Sequence, residues 1–256
     1  MSATRLAASV VGSGPRLVML HGFTQNRRCW GVFADDLATD HELVLIDAPG
    51  HGGSADVEAD LERSAELSGE VGGPATYLGY SMGGRTALHL ALSRPDLVER
   101  LVLIGATGGL DSAEERAARR VADARLADRV ESIGVAAFLD EWLAQPLFAT
   151  LPPAAAQRAE RLSNSSEGLA RSLRRCGTGT QRPLWSELHA LTMPVLIIAG
   201  AEDPRFIAAG ERLATSIGPS ATVALVADSG HSTHLEQPAA TASIIRAWLG
   251  GLVSPR

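Results

Sequence analysis

With 256 residues, 45% hydrophobic and 20% charged, the chain can bury one substantial core or two small ones. A net charge of −6 leaves no footprint for nucleic acid and no attraction to an anionic membrane surface. All 23 basic residues are arginine, which excludes Schiff-base and general-base chemistry on lysine and suits two-point recognition of carboxylates.

From the N-terminus, short apolar runs read as strands at Leu6–Val11, Arg16–Leu20, Glu42–Asp47, Ala75–Tyr80, Leu101–Gly105, Val195–Gly200 and Thr222–Ala227. Amphipathic stretches between them read as helices at Trp30–Ala38, Glu58–Ser68, Gly83–Ser93, Ala208–Ile217 and Pro238–Leu249. This alternation predicts an α/β fold, a mostly parallel central sheet with helices on both faces. Between about Gly108 and Trp185 the alternation stops, and Ala, Arg, Glu and Leu dominate without a strand-like run. Residues 108–185 are therefore expected to form an inserted helical cap over the carboxyl ends of the strands. Residues 1–107 and 186–256 would form the core. Leu6–Val11 is too short for a signal sequence, and no apolar run is long enough for a membrane span. Cys29 and Cys176 match no metal or redox spacing, so a reducing, cytoplasmic setting is expected. No pattern speaks to oligomeric state.

The stretch from Thr76 to Arg85 carries the chemistry. Gly79-x-Ser81-x-Gly83 joins an apolar strand to a helical pattern, and its glycines suit a turn where backbones approach too closely for a Cβ. Such a turn lifts the serine hydroxyl off the sheet. A serine reacts at neutral pH only when a base takes its proton and a third group orients that base. Asp203 follows one strand near the C-terminus and His231 follows the next, in the order Ser81, Asp203, His231 of an α/β-hydrolase triad, with Glu202 a substitute acid. In that fold the N–H groups of Phe23, after His21-Gly22, and of Met82 form the oxyanion hole. Asp47 and His51 read as loop braces. His234, three residues past His231, reads as a surface or cap contact rather than a metal ligand.

Beyond these general motifs stand more discriminating ones: Gly79-Tyr-Ser-Met-Gly-Gly-Arg85, Gly109-Leu-x-x-Ala-Glu-Glu-Arg116-Ala-x-Arg119, Trp142-x-x-Gln-Pro-Leu-Phe148, Arg161-Leu-Ser-Asn and Gly177-Thr-Gly-Thr-Gln. With them the chain resembles the 2-succinyl-6-hydroxy-2,4-cyclohexadiene-1-carboxylate synthases, α/β-hydrolase-fold lyases of menaquinone biosynthesis. The resemblance implies elimination of pyruvate from a small polycarboxylate ring substrate, without cofactor or metal. It implies proton abstraction by Ser81, served by His231 and Asp203, and substrate contacts from Tyr80, Arg85, Arg119, Trp142 and Arg161. Arg116 could instead be a solvated charge paired with nearby glutamates. A serine hydrolase of the same fold, a carboxylesterase or C–C bond hydrolase, needs the triad but no arginine cluster. A catalytically silent binding protein would need neither.

Overall fold

A computed structural model describes residues 5–251; residues 1–4 and 252–256, at the outer ends of the expected core, lie outside the described residues. Seven strands form one sheet: β1 (Ala8–Val11), β2 (Arg16–Leu20), β3 (Glu42–Ile46), β4 (Ala75–Tyr80), β5 (Val98–Ile104), β6 (Val195–Gly200) and β7 (Ala221–Val226). They lie in the order β1-β3-β2-β4-β5-β6-β7. Only β1 runs antiparallel, against β3; every other pairing is parallel.

The strands are continuous apolar runs because both faces of the sheet are covered. On β2, Val18 and Leu20 join one core with Tyr77, Leu88 and Leu103, while Leu17 and Met19 join the other with Leu78, Phe33 and Ile245. The helices supplying these faces are α1 (Val32–Leu37), α2 (Leu61–Gly72), α3 (Met82–Ser93), α7 (Pro204–Ile217), α8 (Thr233–Glu236) and α9 (Pro238–Leu249). Between β5 and β6 the chain leaves the sheet for α4 (Ala113–Leu143), α5 (Arg158–Arg161) and α6 (Ser166–Cys176). Gly134, at φ 76°, breaks α4 in its second half. A separate apolar cluster of Ala127, Val130, Phe138, Leu169 and Leu173 holds α4 to α6.

Several boundaries differ from the sequence expectation for local reasons. The second helix starts at Leu61, not Glu58, because the Asp60 side chain accepts from the Arg63 N–H and caps the first turn. The helix expected from Ala208 begins at Pro204, capped by Asp203, with proline at its first position. Helix α8 was not anticipated; at four residues it is too short to show a period. Among the described residues no helix is long and apolar enough to cross a membrane.

Candidate active site

Ser81 sits between β4 and α3 with φ 50°, ψ −107°, a strained conformation for a residue with a Cβ. The surrounding turn tolerates it because Gly83 lets the chain pass against the Leu20 carbonyl, where any Cβ would collide with backbone. His231 Nε2 lies 3.1 Å from Ser81 Oγ, and His231 Nδ1 lies 3.2 Å from Asp203 Oδ2. Asp203 is thus both helix cap and histidine partner: its Oδ1 accepts the Phe206 N–H at 3.1 Å. Burial pushes the Asp203 carboxyl up. The bonds from His231 and the Phe206 N–H outweigh it, and the net shift keeps Asp203 below its ordinary value and ionised. The His231 ring is buried and packed by Phe206 at 4.3 Å and Tyr80 at 5.3 Å between centroids. An ionised acid, an oriented imidazole and a serine hydroxyl in line have the geometry that a proton relay needs.

Ser81 and His231 open onto a pocket whose wall combines sheet-end residues with inserted-helix residues. Phe23 and Met82 both line it. Among the described residues the Phe23 N–H finds no acceptor, and Met82 is the first residue of α3, where an N–H has no intrahelical partner. Two free N–H groups beside a nucleophile-type serine can hold a developing oxyanion.

Of the expected ligand contacts, Arg85, Arg119 and Trp142 line this pocket. Arg85 is 7% exposed and makes no ion pair among the described residues. Its guanidinium donates to the carbonyls of Cys176 at 2.8 Å and Gly177 at 3.4 Å. Burial lowers its pKa to about 10. Arg119 lies on α4, paired with Asp123. Trp142 belongs to the wall and to the core of the insertion at once, packing on Phe23 at 5.0 Å and on Phe138 and Phe148, each at 5.9 Å. Arg116 turns away to the carbonyls of Leu110 and Asp111.

Tyr80 and Arg161 do not line this pocket. Strand alternation points Tyr80 to the same face as Leu78, into the sheet core, where its hydroxyl meets Ser232 Oγ at 2.7 Å. Arg161 is 1% exposed and lies behind the Phe23 turn. It donates to the Ala156 carbonyl at 2.7 Å and to the Thr24 hydroxyl. The carbonyl of Thr24 is held at 2.8 Å by Asn164 Nδ2, whose amide oxygen accepts the Gly52 N–H at 2.8 Å. Thr24 has φ 66° and no exposure, so the insertion clamps a strained turn next to the Phe23 N–H. We therefore expect Arg161→Lys, which keeps the charge but loses the fork, to lower kcat about tenfold with KM within threefold. A rise confined to KM would return Arg161 to direct ligand contact.

His234 is likewise no surface residue. It is fully buried between Tyr80, at 4.3 Å, and Trp30, at 5.0 Å. The loop braces take part as read: Asp47 accepts the N–H groups of Arg27 at 2.6 Å and Gly53 at 2.7 Å. His21 Nε2 accepts the Ala48 N–H at 3.0 Å, so its Nδ1–H donates to the Gly22 carbonyl at 2.8 Å. Burial lowers His21 to about 4 and the neighbouring His51 to about 3. In the unfolded chain both would protonate near 6.5. Between those values the unfolded state binds more protons, and stability falls as pH falls, by about 1.4 kcal/mol per pH unit for each group. Denaturant midpoints should therefore drop steadily from pH 7 to pH 5; a flat profile would show that neither ring is held neutral.

Asp123, Thr107, Thr178 and Arg205 also line the pocket and were not singled out in the sequence. Asp123 stands four residues past Arg119, a spacing that pairs side chains on one helix face, and Arg205 is two residues past Asp203. Those signals were available, but only packing shows that they point inward.

The model of the alpha/beta hydrolase family matches residues 17–244. The chain belongs to this family. Within the family it is 35% identical, over 94% of each chain, to a Bacillus subtilis protein assigned to the 2-succinyl-6-hydroxy-2,4-cyclohexadiene-1-carboxylate synthases. It is 32% identical to the Yersinia pseudotuberculosis synthase of that name, covering 93% of this chain and 88% of the other. Among solved structures, MenH from S. aureus superposes with a TM-score of 0.85 at 28% identity, over 97% of this chain and 98% of that one. A thermophilic esterase from Thermogutta terrifontis, solved with malate bound, gives 0.81 at 26% identity over 96% and 93%. The alpha/beta hydrolase scaffold thus hosts both synthases and an esterase among the proteins this chain is similar to.

Proposed function

We propose that the enzyme eliminates pyruvate from 2-succinyl-5-enolpyruvyl-6-hydroxy-3-cyclohexene-1-carboxylate, giving 2-succinyl-6-hydroxy-2,4-cyclohexadiene-1-carboxylate, with residues 108–185 as a cap over a core of residues 1–107 and 186–256. The observation that carries this reading is Arg85: a buried guanidinium with carbonyl partners but no carboxylate, on the wall beside Ser81 and near Arg119. A buried unpaired cation is unfavourable unless an anion completes it, and a hydrolase of uncharged esters has no use for one.

In this mechanism Arg85 and Arg119 hold substrate carboxylates against the floor of the pocket, with Trp142 packing on the ring. Asp203 holds His231 with Nε2 free to accept the Ser81 proton. Ser81 Oγ then takes the proton made acidic by the succinyl ketone, and the electron pair spreads into an extended enolate. The N–H groups of Phe23 and Met82 stabilise its oxygen. Collapse of the enolate breaks the ring C–O bond to the enolpyruvyl group, and the released enolpyruvate takes up a proton at its methylene carbon to become pyruvate, while the proton held by Ser81 and His231 is given back. One C–H and one C–O bond break, one C–H bond forms in pyruvate, and no water is consumed. The substrate is a small polycarboxylate, and the buried, unlinked Cys29 and Cys176 suit a reducing cytoplasmic setting.

The test is pyruvate release from the enolpyruvyl precursor, followed with a coupled assay. Release above the uncatalysed rate, at kcat/KM of at least ~10⁴ M⁻¹s⁻¹, is expected. The triad itself, and an esterase neighbour of high structural similarity, favour the second reading, a serine hydrolase. Efficient turnover of simple aryl esters without pyruvate release would select it.

A further inference from the structure

Asp123 is an anomaly in a pocket read as a receiver of carboxylates. It is 1% exposed, lines the wall together with Arg85 and Arg119, and puts a fixed carboxylate where a ligand carboxylate should go. Its bonds show what it does. Oδ1 accepts from Arg119 Nε at 2.7 Å, one helical turn back on α4, and Oδ2 accepts the Gly179 N–H at 3.2 Å. The turn it grips is fitted to it: a Cβ at Gly177 would run into Asp123 Oδ2, and one at Gly179 into the α4 backbone at Arg120. The same turn grips Arg85, through the carbonyls of Cys176 and Gly177. The four residues 176–179 therefore fix both guanidiniums, one by carbonyl acceptors and the other through Asp123.

The atom used on Arg119 matters. A guanidinium meets a carboxylate either side-on, through Nε and one Nη, or end-on, through both Nη atoms. With Nε held by Asp123, only the end-on face is left for a ligand, and the Arg119 side chain is one-third exposed on the pocket side of α4.

We propose that Asp123 is a positioning residue. Anchored on the Gly177–Gly179 turn, it aims the Nη edge of Arg119 at a carboxylate of the same ligand that Arg85 holds. This rests on the anionic-substrate reading above and explains the Gly-Thr-Gly motif, which the proton chemistry leaves unused. It predicts an effect opposite in sign to simple electrostatics. Taking a negative charge out of an anion pocket should strengthen anion binding; here it should weaken it, because Arg119 loses its aim.

The experiment is calorimetric titration of succinate into the intact enzyme, wild type and Asp123→Asn, alongside KM for pyruvate release. The Asn variant keeps the shape and an acceptor for the Gly179 N–H. Its succinate Kd should rise about tenfold, with KM rising in parallel and kcat within threefold. In an Arg119→Gln background the same replacement should change Kd less than twofold, because there is no guanidinium left to aim. Tighter or unchanged succinate binding by Asp123→Asn would overturn the proposal, as would an equal loss in both backgrounds. If the Asn variant does not fold, Asp123→Ser is titrated in its place with the same outcomes. Wild-type enzyme that binds succinate but releases no pyruvate would sink the lyase reading and leave this one standing. Wild-type enzyme that binds no succinate has no anion site, and the proposal falls with it.

Discussion

Ser81→Ala should lower kcat for pyruvate release about 10³-fold while KM stays within threefold and the fold is unchanged. Ser81 Oγ is the atom placed between His231 Nε2, at 3.1 Å, and the pocket. Removing it takes away the atom that would pass the substrate proton on to the imidazole. The carboxylate contacts and oxyanion N–H groups are untouched, so ground-state binding should survive. Alanine is also tolerated structurally: it keeps the Cβ that the φ 50° turn already accommodates and removes no other hydrogen bond found in the structure. Circular dichroism and a thermal melt serve as controls alongside steady-state kinetics. A rate within tenfold of wild type would mean that another group abstracts the proton.

The second large effect is expected at Arg85. Arg85→Met should reduce kcat/KM by about 10²-fold, mainly by raising KM, because a charge-assisted pair to substrate is lost in ground and transition states alike. Stability should move the other way. Burial lowers the guanidinium's pKa to about 10; its hydrogen-bond partners are two carbonyls, and the nearby Asp123 carboxylate is an opposing charge. A methionine of similar reach fills the space without a buried charge, and replacing such charges by apolar groups is often stabilising by ~1 kcal/mol or more. We expect a melting temperature at or above that of wild type combined with a crippled enzyme, the pattern of a group retained for function. A lower melting temperature with wild-type kinetics would instead make Arg85 a structural tie between α3 and the end of α6.

The inserted segment does more than cover the site. Its long helix α4 supplies Arg119 and Asp123, the end of α6 holds Arg85, and the turn after α5 reaches back to Thr24 beside the Phe23 N–H. The pocket arginines and the Phe23 turn are therefore tied to the insertion, whereas Ser81, Asp203 and His231 stand on the sheet and its loops. A scaffold built this way can exchange chemistry by changing the insertion while leaving the proton relay alone.

The triad was readable from the amino-acid order because it depends on local and topological constraints. Gly79 and Gly83 flank a turn that no Cβ could share, Asp203 and His231 follow consecutive strands, and in a parallel sheet the ends of those strands must converge. The strands were readable because burial on both faces makes them uninterrupted apolar runs. The arginines divide for the opposite reason. Spacing put Arg85 one turn past Ser81 and the resemblance named Arg119, and α3 and α4 carry both to the pocket. Arg161 sits on a four-residue helix and Tyr80 at a strand end, where direction depends on which neighbours pack against them. Periodicity specifies a face, and long-range packing chooses what that face meets. The sequence alone thus determined the scaffold and the convergence of Ser81, Asp203 and His231, while tertiary structure decided which arginines reach the pocket and gave Asp123 and Thr24 their places.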